Sequence, residues 1–475
     1  MVTDVDGSEL SAEPNVLVIM SDEHQARALG CAGHPVVQTP HLDELAANGT
    51  RFTNTWTPSP ICVPARASFA TGRWVHDIGA WDSVQAYAGT PPGWSHAMAA
   101  TGRDVVSFGK LHHRSAADDD GFTHRVLPMF IAGGVGWLQG LARHDPLDYP
   151  EAAELAEHTG SGETTYTKYD RLITDRATDW IRGRRNNQQP WVAFVSFVAP
   201  HYPLSAPTEF MDLYPRSEVP PPEIPSVVHD HPAVAAMQDF FDYDTYFDRA
   251  GRKDARRAYY ALCSFMDHNV GQVLQALEDS DQRDNTRVIY TSDHGELLGN
   301  RGLWCKSFMY RDSVDVPLIV AGPGMARGHI DTREANLIDI ASTITETAGL
   351  TSTGSGSSLW ADPLDRPGFS EYHDGGSVTG SFAIRTGGWK YIHHEGFAPQ
   401  LFNVEDDPDE LVDRAGDAAV STIEQSYAAV LRDILDPTEA NRAAFASQAA
   451  IMDAHGGRQG VADAFRFNHT PAPSD

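Results

Sequence analysis

The stretch NVLVIMSDEH, residues 15–24, joins a continuous apolar run to a polar end. Apolar runs of this kind are typical of a strand that is buried on both faces of a parallel sheet. In α/β folds, ligands bind beyond the carboxyl ends of such strands, and Asp22, Glu23 and His24 occupy that position. The stretch therefore predicts an α/β fold with a site at the end of its first strand.

The same pattern recurs along the chain. Further strand-like runs occupy residues 104–108, 191–198, 287–290 and 317–321. The polar side chains that follow the first three of these runs are Lys110, His112, His201, Asp293 and His294. Because the carboxyl ends of parallel strands share one edge of the sheet, we expect all of these side chains to meet in one crevice with Asp22.

Helical patterns separate the strands, and the texture of the chain changes after Gly349. The helical patterns cover about residues 41–49, 170–183, 253–277, 338–348 and 418–435. A Ser/Thr/Gly-rich stretch at 351–358 is followed by short β-like pieces and the last helix, which predict a small antiparallel α+β subdomain. We divide the chain into a disordered tail (1–13), a catalytic domain (14–365), the subdomain (366–436) and an extension (437–475), a plausible arm toward a neighbouring subunit in a homo-oligomer.

The composition limits the partners. Among 475 residues, 36 are Lys or Arg and 65 are Asp or Glu, which gives a net charge of −29. A chain this acidic does not suit general binding to nucleic acid or to an anionic membrane, so an anionic substrate needs a local cationic pocket. The four cysteines match no zinc or disulfide pattern, and no apolar run is long enough to span a bilayer. We expect a cytoplasmic protein without nucleic-acid or membrane partners.

Residues 58–69 place Cys62 in a proline-bounded turn, with Arg66 one helical turn further on. Most lone cysteines are small buried hydrophobes. A helix N-terminus beside a fixed positive charge, however, lowers the pKa of a thiol or holds an anion. The local pattern leaves both a structural cysteine and a reactive centre open.

Two acidic positions from distant parts of the chain, Asp22 with Glu23 and Asp293, predict a site for a hard cation. Carboxylate oxygens prefer Ca²⁺ or Mg²⁺, and His294 could complete the shell through nitrogen.

The crevice also holds groups for the transfer of an anionic group. Arg66, Lys110 and Lys306 supply positive charge for an oxyanion, and His112 and His201 can move protons near neutral pH. A cation, several positive side chains and two histidines around a nucleophile fit sulfuryl or phosphoryl transfer.

Two motifs carry a resemblance to a known family. Cys62-Val63-Pro64-Ala65-Arg66, followed by Ala67-Ser68, matches the signature C-x-P-x-R, and residues 109–112 match G-K-x-H. Asp22, His201, the segment Ser292–Gly295 and residues 302–306 follow in the family's order. Over about residues 14–435 the chain resembles the type I sulfatases of the alkaline phosphatase superfamily.

The resemblance implies the fold. It is an α/β alkaline-phosphatase-like sandwich, in which helices flank a large, mostly parallel central sheet. A small C-terminal antiparallel sheet-and-helix subdomain completes it.

The resemblance also implies a nucleophile and a metal. A formylglycine-generating enzyme would convert Cys62 to formylglycine (3-oxoalanine), whose hydrate is the nucleophile and a metal ligand. Asp22, Asp293 and His294 would be further ligands of Ca²⁺, with Mg²⁺ or Mn²⁺ as alternatives. Glu23 stands where many arylsulfatases have a second aspartate ligand.

Roles for the remaining groups follow from the resemblance. Arg66 would support the hydrate, while Lys110 and Lys306 would bind sulfate oxygens. His201 would protonate the leaving alcohol. His112 would remove a proton so that the sulfated hemiacetal collapses to aldehyde and sulfate.

The substrate is less defined. His294 stands where many arylsulfatases have asparagine, which looks like the choline-sulfatase and phosphonate-monoester-hydrolase branches. Asp82 and Glu371 lie where the choline-sulfatase branch places substrate contacts. Glu371, together with an aromatic residue such as Trp137, could hold a cation. We expect a hydrolase of a small organic sulfate ester, of choline, an aryl alcohol or a sugar. A phosphonate monoester or phosphodiester hydrolase is the alternative, and a vestigial, non-enzymatic binder is a third possibility; Lys110 favours the sulfatase.

Overall fold

The computed structural model describes residues 13–187, 189–225, 231–352, 354–361, 366–466 and 469–473. The predicted tail lies outside the described residues except for Glu13, and so does the predicted boundary at 365. The strands are β1 (Asn15–Asp22), β2 (Gly49–Trp56), β3 (Asp104–Lys110), β4 (His124–Met129), β5 (Gly160–Ser161), β6 (Trp191–Pro200), β7 (Ser205–Ala206), β8 (Thr286–Ser292), β9 (Leu318–Ala321), β10 (His329–Asn336), β11 (Gly368–Tyr372), β12 (Ser381–Thr386), β13 (Trp389–His394) and β14 (Gln400–Asn403).

The helices alternate with the strands through most of the chain. They are α1 (Pro40–Ala47), α2 (Cys62–Thr71), α3 (Val75–Ile78), α4 (Trp94–Ala99), α5 (Glu151–Glu157), α6 (Thr165–Arg182), α7 (Thr208–Met211), α8 (Pro232–Phe241), α9 (Arg249–Asp279), α10 (Arg311–Val314), α11 (Leu337–Glu346), α12 (Ser421–Ile434), α13 (Pro437–Ala454) and α14 (Gly457–Asp463).

The central sheet has eight strands in the order β10-β2-β9-β8-β1-β6-β3-β4. All neighbours are parallel except β9, which runs antiparallel to β2 and to β8. The predicted mostly parallel sheet is confirmed. β1 lies near its middle, which explains why its sequence is continuously apolar from Val16 to Met20.

Alternate residues of β1 point to opposite faces of the sheet and enter two different cores. Leu17 and Ile19 pack in the core that contains α1, α6 and α9. Val16, Val18 and Met20 pack in the core that contains α2, α4 and α11. The two helical layers make an α/β/α sandwich, and this arrangement leaves the strand ends free to carry a site.

The strands β11 to β14 form a separate four-stranded antiparallel sheet, against which α12 packs. This sheet contacts the main body through β11, where the Glu371 amide donates to the Pro58 carbonyl at 2.9 Å. Residues 437–466 contain α13 and α14, which pack against the rest of this chain. Across the described ranges, every helix is too short or too polar to cross a bilayer.

Candidate active site

The carboxyl ends of β1, β3, β6 and β8 meet the first residue of α2 at one edge of the sheet. The sequence predicted this convergence, and the structure brings together Asp22, Cys62, Lys110, His201 and Asp293. Cys62 begins α2 after the extended residue Ile61, and its Sγ lies 3.6 Å from Asp22 Oδ1 at the end of β1.

Cys62 is buried among charged groups. Its Sγ lies 3.1 Å from His294 Nε2, 3.6 Å from Asp22 Oδ1 and 3.6 Å from Lys306 Nζ. Burial, together with Asp22, raises the pKa of this thiol to about 12 although Lys306 opposes the shift. Burial therefore opposes the activated thiolate that the helix N-terminus suggested, and a protonated thiol is a poor nucleophile.

Arg66 organises the base of the site. Its side chain is 2% exposed, with Nε donating to Asp293 Oδ2 at 2.7 Å and one terminal nitrogen donating to Asp22 Oδ2 at 3.2 Å. The other terminal nitrogen donates to the Lys110 carbonyl at 2.8 Å and to Ser196 Oγ at 2.9 Å. One guanidinium therefore ties the ends of β1, β3, β6 and β8 together. Ser196 has no signal in the sequence, because a serine inside an apolar strand gives no pattern.

Four buried side chains offer a set of metal ligands. One donor atom each from Asp22, Cys62, Asp293 and His294 lies within 4.8 Å of every other. His294 Nδ1 donates to the Gly295 carbonyl at 3.0 Å, so its Nε2 presents a lone pair to the cluster. Two carboxylates and one imidazole suit a divalent cation, and an oxygen in place of the Cys62 sulfur would make the fit to a hard ion better.

Glu23 stands outside this four-residue cluster. Its backbone is left-handed, with φ 67°, and its Oε2 lies 3.1 Å from Lys306 Nζ and 3.5 Å from His201 Nε2. With Asp22 and His201 it forms a separate group of possible ligands. Burial raises the pKa of Glu23 to about 8, with Lys306 opposing and Glu296 adding to the rise. The extra methylene of glutamate directs this carboxylate to Lys306 instead of to the predicted cluster.

Lys110 and Lys306 approach the nucleophile position from two sides. Lys110 Nζ contacts Asp22 Oδ2, and its side chain is 1% exposed. Burial opposes the charge of Lys306, but Cys62 and Glu23 raise its pKa well above the ordinary value. Both lysines line the same cavity as Cys62, with Lys306 Nζ 3.6 Å from its Sγ, and their binding of sulfate oxygens stays a prediction.

The two predicted proton-transfer histidines line the same site. Neither ring nitrogen of His112 has a hydrogen-bond partner among the described residues, although both are buried. Its backbone is left-handed, with φ 53°, a strained conformation of the kind that occurs at functional positions. His201 Nδ1 donates to the Tyr202 carbonyl at 2.6 Å, so its Nε2 faces the carboxylates. Burial and neighbouring lysines hold the pKa of both histidines well below the ordinary value.

A cavity of about 110 Å³ opens beside these groups. It is lined by Cys62, Val63, Ser83, Lys110, His112, Ile131, Ala132, Gly136, Trp137, Tyr149, Glu151, Tyr166, His201, Tyr202, Lys306, His469 and Thr470. Trp137, predicted as a substrate contact, is among them. The sequence missed Tyr149, Glu151, Tyr166 and His469, because they come from aperiodic stretches.

The other two predicted substrate contacts lie in internal networks. The Glu371 carboxylate accepts from His76 at 2.7 Å and pairs with His373 at 3.0 Å. Burial would raise the pKa of Glu371, but His76 and His373 outweigh it and lower it to about 2. Asp82 accepts from the amides of Val84 and Gln85 and caps its own turn. Neither residue lines the cavity, so we assign neither a substrate contact.

Comparisons with known proteins agree with this geometry. The sulfatase family model matches residues 14–350. The chain is 30% identical to a choline-sulfatase of Rhizobium meliloti (strain 1021) over 454 residues, which is 89% of this chain and 86% of that protein. It is 28% identical to arylsulfatase K of Homo sapiens over 442 residues, which is 85% of this chain and 79% of that protein.

A solved structure shares the fold. The phosphonate monoester hydrolase of Agrobacterium radiobacter superposes with a TM-score of 0.72 at 23% identity, covering 88% of this chain and 95% of that one. This similarity extends the alkaline-phosphatase-like architecture to the chain. The match to the family model and the similarity to the choline-sulfatase show that the chain belongs to the sulfatase family and is a sulfuric ester hydrolase.

Proposed function

We propose that this sulfatase cleaves an organic sulfate monoester to alcohol and inorganic sulfate, with residue 62 as nucleophile after conversion of Cys62 to formylglycine. A divalent cation, Ca²⁺ or alternatively Mg²⁺ or Mn²⁺, would be held by Asp22, Asp293, His294 and residue 62. The observation that carries the proposal is the convergence of these buried donors on the Cys62 side chain. The raised pKa of the buried Cys62 thiol also supports it, because a thiol that stays protonated is a poor nucleophile.

The modified residue supplies a hydroxyl nucleophile, and the cation supplies charge that lowers the cost of its deprotonation. Lys110 and Lys306 would hold the sulfate oxygens, where negative charge grows in the transition state. Arg66, which is fixed by the carboxylates of Asp22 and Asp293, would hold residue 62 and these two ligands in position. Glu23 would position Lys306 and His201 through its contacts with both.

His201 and His112 would divide the proton transfers. In the free site burial and Lys306 lower the pKa of His201, which favours its neutral form. A bound sulfate ester brings a negative charge, which raises that pKa and lets Nε2 carry the proton for the leaving alcohol. His112 has both ring nitrogens free of partners in the described structure, so it can accept a proton from residue 62.

The same scaffold hosts phosphonate hydrolysis, so the reaction is tested by comparing two substrates. We expect wild-type enzyme to turn over 4-nitrophenyl sulfate with a higher kcat/KM than 4-nitrophenyl phenylphosphonate. The expectation rests on Lys110, which favours the sulfatase over the phosphonate hydrolase in the family resemblance and lies in the cavity lining beside Cys62. A clear preference for the phosphonate would overturn the sulfatase assignment of the site.

The cavity wall suits an alcohol that carries a positive charge. Trp137 and Tyr149 meet edge to face with ring centroids 5.7 Å apart, and the Tyr202 ring also lines the cavity. Glu151 adds a buried carboxylate whose Oε2 has no hydrogen-bond partner within the described ranges. Burial raises the pKa of Glu151, and a bound cation would favour its ionised form. Aromatic faces with one carboxylate fit a small quaternary ammonium group, as in the ester that choline-sulfatase is named for.

Glu151→Gln should therefore separate charged from neutral esters. We expect wild-type enzyme to prefer choline sulfate over its neutral carbon isostere, 3,3-dimethylbutyl sulfate, by about 2 kcal/mol, or roughly 30-fold in kcat/KM. Glu151→Gln should remove most of this preference, because it keeps the shape and loses the charge. Steady-state kinetics on both esters provide the measurement.

The matched control is Glu157→Gln, which changes an exposed carboxylate on the same helix. It should keep the wild-type preference. Equal kcat/KM for the two esters in wild-type enzyme would contradict a cationic substrate.

A further inference from the structure

The C-terminal part of the chain folds back along the segment that follows Trp137. Val461 of α14 is fully buried with Leu138 and Leu141. Gln139 Nε2 donates to the carbonyls of Val461 at 3.2 Å and Ala464 at 3.1 Å. These contacts fix α14 against the loop that leads into the catalytic cavity.

Polar contacts also attach the C-terminal part of the chain to residues 145–148, which lie closer to the cavity along the chain. Arg458 forms an ion pair with Asp145 at 2.6 Å, and Arg466 donates to the Asp148 carbonyl at 3.1 Å. Residues 145–148 lead into α5, which carries Glu151. Arg458 and Arg466 therefore lie against the segment that leads into α5 and its Glu151.

His469 and Thr470, which come later in the chain, line the cavity itself. The Tyr166 hydroxyl donates to the Thr470 carbonyl at 2.7 Å, and the His469 ring meets the Tyr166 ring edge to face at 4.9 Å. Ala472 packs against the main hydrophobic core. Thr470 and Ala472 therefore anchor the segment directly after His469, whose imidazole forms part of the cavity wall.

This wall stands next to the predicted general acid. The Tyr166 ring lies 6.1 Å from the His201 ring, again edge to face. His201, the proposed general acid, lines the same cavity as this wall, so an alcohol that His201 protonates would lie next to the wall. His469 Nδ1 is buried and has no hydrogen-bond partner within the described part of the chain. It is free to bond a polar atom in the cavity.

We propose that His469 and Thr470 form the wall that limits the size of the alcohol part of the substrate, and that His469 contacts this part directly. The inference rests on the proposed function, because it names the sulfate ester as the occupant. The cavity, of about 110 Å³, has His469 and Thr470 in its lining together with Tyr166, His201 and Lys306. Enlarging the wall at His469 should admit bulkier alcohols.

The first test uses binding, so that it does not depend on turnover. Methanesulfonate, benzenesulfonate and naphthalene-2-sulfonate carry the same anionic head with groups of increasing size and are not hydrolysed. Their Kd values for the full-length protein would be measured by calorimetry. We expect His469→Ala to improve naphthalene-2-sulfonate binding relative to methanesulfonate by about 10-fold, and His469→Trp to weaken benzenesulfonate by a similar factor.

The control is His455→Ala, which removes an exposed histidine of the same C-terminal part and should change none of the ratios. A thermal melt checks that each variant is folded. Identical size discrimination in His469→Ala, His469→Trp and wild-type protein would overturn the inference.

The same variants are then assayed with 4-nitrophenyl sulfate. If the proposed function is right, His469→Ala should raise kcat/KM for this aryl ester relative to choline sulfate. Altered sulfonate binding without hydrolysis of any sulfate ester would leave the wall in place and reject the proposed function, so the two failures are distinguishable.

Discussion

Cys62→Ala is expected to abolish sulfate ester hydrolysis while the protein stays folded. Removing a nucleophile that acts together with its neighbours lowers kcat by at least about 10⁴-fold. The structural cost should be small, about 1 kcal/mol of unfolding free energy, because one sulfur atom is lost from a site bounded by polar side chains. Steady-state kinetics and urea unfolding measure the two effects separately.

Cys263→Ala is the matched control. It removes a sulfur from the apolar core on α9, so it should lower stability by a comparable or larger amount and leave turnover unchanged. Collapse of the fold in Cys62→Ala would favour the structural cysteine that the sequence left open. Turnover near the wild-type rate would place the nucleophile elsewhere.

Asp293→Asn is expected to remove the cation and to weaken the fold together. One oxygen of Asp293 accepts from Arg66 at 2.7 Å, and the other accepts from the amides of Glu23 and His294. The substitution takes a charged ligand from the cluster and one counter-charge from a buried guanidinium, which costs about 3 kcal/mol. We expect metal content to fall to near zero and kcat to fall roughly 10³-fold. Elemental analysis, kinetics and urea unfolding test the three effects.

Asp267→Asn provides the comparison, because Asp267 is also a buried carboxylate that accepts backbone amides, from His41 and Leu42. It should lose stability and keep both metal and turnover. Asp293→Asn with a full complement of metal and a wild-type rate would refute the assigned ligand set. Retained metal with lost turnover would assign the effect to Arg66 instead.

The strands and their chemistry could be predicted because burial leaves a strong pattern. The apolar runs that became β1, β3, β6 and β8 each end in a charged or histidine side chain, and parallel pairing brings those ends together. β2 was missed because GTRFTNTW has few apolar residues and begins with glycine. β9 runs antiparallel, a direction that an apolar run does not reveal.

The substrate wall could not be read from the sequence, because it depends on contacts between distant segments. The sequence predicts that the Glu371 carboxylate contacts the substrate, whereas in the structure this carboxylate is paired with His76 and His373. Glu151 and His469 come from stretches without periodicity, and only the fold places them beside Trp137 and Tyr166. The proposed metal ligands Asp22, Asp293 and His294 follow strand ends and could be predicted from the sequence, whereas the proposed substrate contacts depend on how distant loops pack together.

The most direct test of the account is the mass of the tryptic peptide that spans residues 52–66, taken from enzyme that is active as purified. The account predicts that residue 62 carries CHO in place of CH₂SH, and that the peptide reacts with a hydrazide probe. Fully active enzyme in which residue 62 is uniformly an unmodified cysteine would contradict it.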